Sequence, residues 1–293
     1  MRRSIPILAA LAALAVTTPV AEATFKGHNG RLASDIHQKG IDDDGSPSAY
    51  RTLSTVRPDG RADRFLRECQ TGPTIVDGDC TIDYLTPSWS RDAKRLVFDS
   101  GDSLALIGAD GSGFVKLAQQ TADDSRPVFA PSGRAVAFEG STDGRADVFV
   151  LDLRTGNATK ILRRAADPDW SSTNKIAFER SGSIYVADSK GRGAKRIARG
   201  SDPGWSATAK TLIYARRGGI YTVSAKGGKA RRVVRCSPCS GPVFSPDSRS
   251  FAYDYKGPTI ARLSNGRTIT RPVRDMARGG ESFDASNVSW GVR

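Results

Sequence analysis

The sequence predicts an all-β fold, a six-bladed β-propeller of four-stranded antiparallel blades. Three observations predict it. A Pro-x-aromatic-small motif recurs at intervals of about 40 residues. Each copy is followed by the same train of short apolar runs and a glycine turn. A last copy stands at the C-terminal end with no strands after it, while the first unit has strands but no copy, so the two ends complete one blade between them.

The motif reads Pro87-Ser88-Trp89-Ser90, Pro127-Val128-Phe129-Ala130, Pro168-Asp169-Trp170-Ser171, Pro203-Gly204-Trp205-Ser206 and Pro242-Val243-Phe244-Ser245, with Val288-Ser289-Trp290-Gly291 as the last copy. Successive aromatics lie 40, 41, 35, 39 and 46 residues apart. A fixed period of this size is the signature of a repeat architecture, in which one unit buries its apolar faces only by stacking on its neighbours.

A second strand follows each motif: Leu96-Val97-Phe98, Val136-Ala137-Phe138, Ile176-Ala177-Phe178, Leu212-Ile213-Tyr214 and Phe251-Ala252-Tyr253. Its aromatic lies nine residues after the first aromatic, or eight in the third copy. The third strand covers 104–107, 148–151, 184–187, 220–223 and 259–263. Both strands are nearly continuous apolar runs, the pattern of sheets buried on both faces. Glycine turns follow at Asp110-Gly111, Gly156, Gly191, Gly227-Gly228 and Asn265-Gly266, where tight hairpins need residues that tolerate positive φ. A more polar fourth strand ends the unit, as in Phe114-Val115-Lys116-Leu117 and Arg231-Arg232-Val233-Val234. Four strands joined by hairpins make a propeller blade.

In the first unit, Asn29 to Ala33 reads as a second strand and Tyr50 to Val56 as a third, so the missing first strand is Val288-Ser289-Trp290. The expected blades are 29–85 with 288–293, then 87–126, 127–167, 168–202, 203–241 and 242–287. The longest irregular segments are expected at 40–49, between Cys69 and Cys80, and at 274–287. Residues 1–23 stand outside this domain, which covers 24–293. Met1-Arg2-Arg3, an apolar stretch from Ile5 to Val16 and Ala21-Glu22-Ala23 form the basic, apolar and small-residue regions of a cleavable secretory signal. The apolar stretch falls short of the roughly 20 residues a membrane span needs, and the mature chain has no candidate span. A retained N-terminal anchor is the alternative reading.

The repeats resemble the WD40-like propeller repeats of the TolB family. The residues that carry the resemblance are Pro242-Val243-Phe244-Ser245-Pro246-Asp247, Ile176-Ala177-Phe178 and Ile184-Tyr185-Val186-Ala187-Asp188. It extends over nearly all of residues 29–293 and implies the propeller and an extracytoplasmic setting. No counterpart of the N-terminal α/β domain of that family is expected, and no Trp-Asp dipeptide of a true WD40 repeat occurs.

Four cysteines suit an exported protein. Cys69 with Cys80 and Cys236 with Cys239 are expected as two local disulfides. A redox pair or half of a zinc site are the alternatives for Cys236-Ser-Pro-Cys239, but His28 and His37 are remote and no βαβ context surrounds it. There is no Gly-x-Ser-x-Gly elbow, no phosphate-cradling loop and no His-Glu-x-x-His motif. Two histidines give little material for a Ser-His-Asp triad. No catalytic residue, cofactor or metal is expected; Asp42-Asp43-Asp44-Gly45 lacks the alternating spacing of a calcium loop and reads as a solvated turn.

Lysine and arginine total 44 against 31 acids, and between Lys190 and Arg278 there are 20 bases against four acids. Arg216, Arg217, Lys229, Arg231, Arg232 and Arg235 form a candidate partner-binding basic patch. Such a patch draws anionic partners; equally, bases on outermost strands discourage edge-to-edge aggregation. The expectation is an exported, monomeric, non-enzymatic module that binds a protein or an anionic envelope polymer, not nucleic acid. A propeller lyase or hydrolase with a channel-mouth site and an orphan structural protein are the alternatives.

Overall fold

The computed structural model of the chain describes residues 14–15, 29–41, 47–57, 64–71, 86–101, 103–255, 258–264, 267–272 and 284–292. Every long element in them is a strand. Strand β1 (Leu14–Ala15) is a two-residue contact on His37 and Gln38. The first blade holds β2 (Asn29–Ile41), β3 (Pro47–Val56) and β4 (Arg64–Thr71). The second holds β5 (Ser88–Trp89), β6 (Arg95–Asp99), β7 (Leu104–Gly108) and β8 (Val115–Lys116). The third is β9 (Ser125–Phe129), β10 (Ala135–Ser141), β11 (Ala146–Asp152) and β12 (Ala158–Leu162). The fourth is β13 (Ala166–Trp170), β14 (Lys175–Arg180), β15 (Ser183–Asp188) and β16 (Lys195–Arg199). The fifth is β17 (Ser201–Trp205), β18 (Thr211–Arg216), β19 (Gly219–Ser224) and β20 (Arg231–Val234). The sixth is β21 (Ser240–Phe244), β22 (Ser250–Asp254), β23 (Pro258–Ser264) and β24 (Arg267–Pro272). Strand β25 (Asp284–Val292) then pairs with β2 through Asn29 and Val292, supplying the first blade's innermost strand.

Six apolar clusters hold the blades together, one at each seam. Both aromatics of a blade pack into the blade before it. Trp170 and Phe178 meet Val128 and Val148, Trp205 and Tyr214 meet Ala177 and Ile184, and Phe244 and Tyr253 meet Ile213 and Ile220. Phe129 and Phe138 meet Val97 and Leu104, while Trp89 and Phe98 meet Ala33 and Leu53. The sixth cluster joins Trp290 and Leu32 of the first blade to Val243 and Ala252 of the sixth. An open row of six blades would have five seams; the sixth cluster closes the ring. Burying one such aromatic is worth about 2–3 kcal/mol, so the fixed aromatic spacing is the main cohesive device. Within blades three to five, the second aromatic stacks on an aromatic directly opposite it on the third strand, as in Phe138 with Phe149 and Phe178 with Tyr185, both at 5.5 Å.

The small residue after the first aromatic has a local cause. The hydroxyls of Ser90, Ser171, Ser206 and Ser245 accept the backbone N–H of Arg95, Lys175, Thr211 and Ser250 at 2.9–3.1 Å, closing the turn between the first two strands. Blades also approach through backbone. Gly191 has φ +78°, and a Cβ there would run into the Ile161 carbonyl of the preceding blade.

The first blade differs from the expected outline. Residues Gly40–Ile41 and 47–49, expected in an irregular segment, continue the β2–β3 ladder, whose register runs from Leu32 opposite Val56 to Ile41 opposite Pro47. Glycine and proline in that stretch suggested a loop, but the ladder is held by the strand-favouring residues before and after them, Ile36, Ile41, Thr52 and Thr55. Asp284 to Asn287, also expected as irregular, belong to β25. Apart from Leu14–Ala15, the segment expected as a signal lies outside the described residues, as do Asp42 to Gly45 and Cys80.

Candidate functional site

The innermost strands β5, β9, β13, β17, β21 and β25 each touch the next around the ring, β25 touching β5, so they line the central channel. In four of them the residue before the motif proline has left-handed φ: Arg126 (53°), Asp167 (49°), Asp202 (50°) and Gly241 (49°). Each of these residues is followed by a proline. Lacking an N–H, it interrupts the ladder to the second strand, and the register shifts there in all four blades, between Ala137 and Glu139, Ala166 and Asp169, Ser201 and Gly204, and Ser240 and Val243. A bulge of this kind re-aims one side chain. In three consecutive blades that side chain is charged, and a left-handed non-glycine residue costs about 1–2 kcal/mol.

The charged residues meet around Arg126. Its guanidinium forms an ion pair with Asp167 of the next blade and lies 3.8 Å from Glu139 of its own blade. The Asp167 backbone N–H donates to Glu139 at 3.1 Å, and Asp202 accepts the Gly241 N–H at 3.2 Å. Burial pushes Glu139 and Glu179 above the usual carboxylate range, with the Arg126 charge opposing both. Asp99 of the second blade is pushed well above that range, again by burial first, with Asp123 adding to the shift and Arg126 opposing it. Burial raises Asp202 to about 6 against the Gly241 bond and the Arg126 charge. One cation thus serves carboxyls from four blades at one mouth of the channel, leaving excess acid. That arrangement favours a positively charged visitor.

This mouth is the end of the ring where first strands begin, second strands end and fourth strands end. Around the acidic centre, the same face carries exposed Arg163, Arg164, Arg199, Arg216, Arg217 and Arg235. Of the expected basic patch, Arg216, Arg217 and Arg235 belong to this face. Lys229 lies in the β19–β20 turn at the opposite end of the fifth blade, and Arg231 and Arg232 lie along its outermost strand, facing Thr222 and Tyr221. Cys236 and Cys239 are disulfide-bonded with Cα atoms 5.7 Å apart, in the connection from the fifth blade to the sixth that borders the same face. Cys69 lies in β4; its expected partner is outside the described residues. Among the described residues no group of His, Cys, Asp and Glu has the arrangement of a metal site, and no helix is long and apolar enough to cross a membrane.

Sequence reasoning missed Arg126, Glu139, Asp167, Glu179 and Asp202. The signal available was the residue before each repeated proline, which is polar or glycine in all five proline copies: Thr86, Arg126, Asp167, Asp202 and Gly241.

No protein-family model matches the chain. A TolB homologue from Chlorobium chlorochromatii is 26% identical over 120 residues, which is 38% of this chain and 27% of that protein. The chain therefore matches about a quarter of the length of that curated relative. Among solved structures, TolB from Acinetobacter baumannii superposes with a TM-score of 0.68 at 16% identity, covering 90% of this chain and 67% of that one. An oligogalacturonate lyase in complex with manganese superposes with a TM-score of 0.54 at 12% identity, covering 84% of this chain and 85% of that one. At such identities the likeness establishes the propeller fold. The chain is similar to TolB homologues in sequence over part of its length and in fold over most of it.

Proposed function

We propose that this propeller is an exported, non-enzymatic protein-binding module, and that its partner docks on the face around Arg126. The observation that carries the proposal is the convergence of charged side chains from four blades at one channel mouth, three of them held on strained bulges in adjacent blades. Strain of this kind persists where a rigid scaffold positions groups for recognition. The opposite face carries the turns closed by Ser90, Ser171, Ser206 and Ser245, whose hydroxyls accept from backbone N–H groups of the same turns. The similarity to TolB homologues supports the module reading, and the leader-like residues 1–23 with the Cys236–Cys239 disulfide support export.

Photo-crosslinkers placed at Asp143 and Arg217 on the charged face, and at Thr173 and Lys190 on the other, test the proposal in the native envelope. The expected result is one protein adduct from the charged face alone. Adducts confined to Thr173 and Lys190, or none from either face, would contradict it.

A second reading, a channel-mouth lyase or hydrolase, is favoured by one feature: carboxyls such as Asp99 and Glu139 are held above their usual range beside a cation, as general acids are. Turnover of an anionic polysaccharide that disappears in Glu139→Gln would replace the binding reading.

A further inference from the structure

The fourth strands of blades three, four and five share a register near their ends. Leu162 lies opposite Val148, Ala198 opposite Ile184 and Val234 opposite Ile220. The residue after each is an arginine: Arg163, Arg199 and Arg235, spaced 36 residues apart. All three are exposed, and none has an ion-pair partner among the described residues. They form an arc on the perimeter of the face whose centre is the Arg126 cluster. Between arc and centre, Arg180 and Arg216, also 36 residues apart, lie over the Tyr185 and Tyr221 rings at 5.5 and 5.4 Å. The rings help hold both guanidiniums in place, and Arg180 also donates to the Arg163 and Arg164 carbonyls at 2.9 and 3.3 Å. Of the acids on this face, Asp147 is paired with Lys160 and also feels Arg163; Glu139, Asp167, Glu179 and Asp202 belong to the centre; and Asp143 is exposed in the β10–β11 turn.

We propose that the docking surface of the partner is a protein surface with a basic side chain at its tip and carboxylates around it, the tip entering the acidic centre and the carboxylates meeting the arc of Arg163, Arg199 and Arg235. This rests on the docking face proposed above and adds the partner's charge pattern. The two concentric rings decide the class of partner. A membrane of anionic lipids or an anionic polysaccharide satisfies the arginines but brings like charge against the central carboxylates. Only a surface carrying both signs neutralises both rings, and like-charge contacts at an interface are what exclude wrong partners. The arc consists of arginines, whose fork geometry matches carboxylates in two parallel bonds.

Selection of a displayed random-peptide library against the full chain tests the pattern. The expected winners carry one Lys or Arg flanked by Asp or Glu, and bind at least tenfold more weakly to R163E/R199E/R235E and to wild type in high salt. Charge-retaining R163K/R199K/R235K keeps most of the binding, which separates lost charge from lost folding. Winners without acidic residues, winners indifferent to the arginine reversal, or tighter binding to phosphatidylglycerol vesicles or polygalacturonate would overturn the proposal. Charged-face adducts in cells together with such winners would remove the charge pattern alone; absence of those adducts would remove the docking face as well.

Discussion

The Asp169 carboxylate accepts the backbone N–H of Trp205 at 2.6 Å across the seam between the fourth and fifth blades, and the Trp205 indole N–H donates back to the Asp169 carbonyl at 3.2 Å. Ser88 does likewise at the seam between the second and third blades, where its hydroxyl accepts the Phe129 N–H at 3.4 Å. The residue between proline and aromatic in the motif therefore faces the next blade, and where it is polar it stitches the seam.

Asp169 makes that seam sensitive to pH. Burial raises its carboxyl from the ordinary 3.8 to about 7, against the bond from Trp205. The folded chain thus holds a proton that the unfolded chain releases. The stability this group contributes then falls as pH rises from about 4 to about 7 and is level above, by linkage. Asp169→Asn keeps an acceptor for Trp205 and removes the charge, so its stability is expected to fall less steeply than that of wild type over that window and to exceed wild type by about 2 kcal/mol or more at pH 8. Asp169→Ala leaves the N–H unpaired and costs about 1–3 kcal/mol at pH 5. Urea unfolding between pH 5 and 8.5 reads all three proteins.

Arg126 is the only cation paired into the channel mouth among the described residues, so Arg126→Gln is expected to destabilise the chain by about 2 kcal/mol at pH 8. Removing the positive charge pushes the surrounding carboxyls further up. The loss therefore shrinks at pH 5, where more of them carry protons. A double-mutant cycle with Glu139→Gln, followed by thermal unfolding at both pH values, is expected to give a coupling that weakens on acidification.

The turns after the first strand predict opposite outcomes for two small substitutions. Ala209 sits at φ 54° where the third and fourth blades have Gly133 (66°) and Asn174 (64°). Ala209→Gly relieves a left-handed alanine and is expected to stabilise by about 0.5–1 kcal/mol. Gly191→Ala forces a Cβ onto the Ile161 carbonyl and is expected to cost more than about 2 kcal/mol. Denaturant midpoints distinguish the two directions.

Trp290 and Leu32 form the seam that closes the ring, and Trp290 is 3% exposed. Trp290→Ala is expected to cost about 3–5 kcal/mol, and hydrogen exchange is expected to rise first in β2 and β21 on either side of that seam.

The repeat made most of this fold legible. Trp89, Phe129, Trp170, Trp205, Phe244 and Trp290 mark the seams because an aromatic at fixed spacing is what a ring of stacked sheets needs. The match of Trp290 to the missing strand before Leu32 marked the closure. The site was less legible for a geometric reason. Arg126, Glu139, Asp167, Glu179 and Asp202 are spread over the sequence and meet only when the bulge at each proline aims a side chain into the channel. A proline in a strand signals the bulge, but not the direction in which the preceding residue points. Arg163 and Arg199 were hidden differently: they contributed to an overall excess of bases, and their shared register emerges only from the strand pairing.

The convergence at Arg126 requires a closed ring, so the most direct measurement is a cross-link at the closing pair. Asn29 and Val292 are antiparallel partners, a spacing within the range a disulfide spans. The double substitution N29C/V292C is expected to form this disulfide within the folded chain under mild oxidation, and reduction is expected to lower the unfolding temperature. Failure to form it while both thiols react freely with alkylating agent would show that the two strands lie apart, and would contradict the ring.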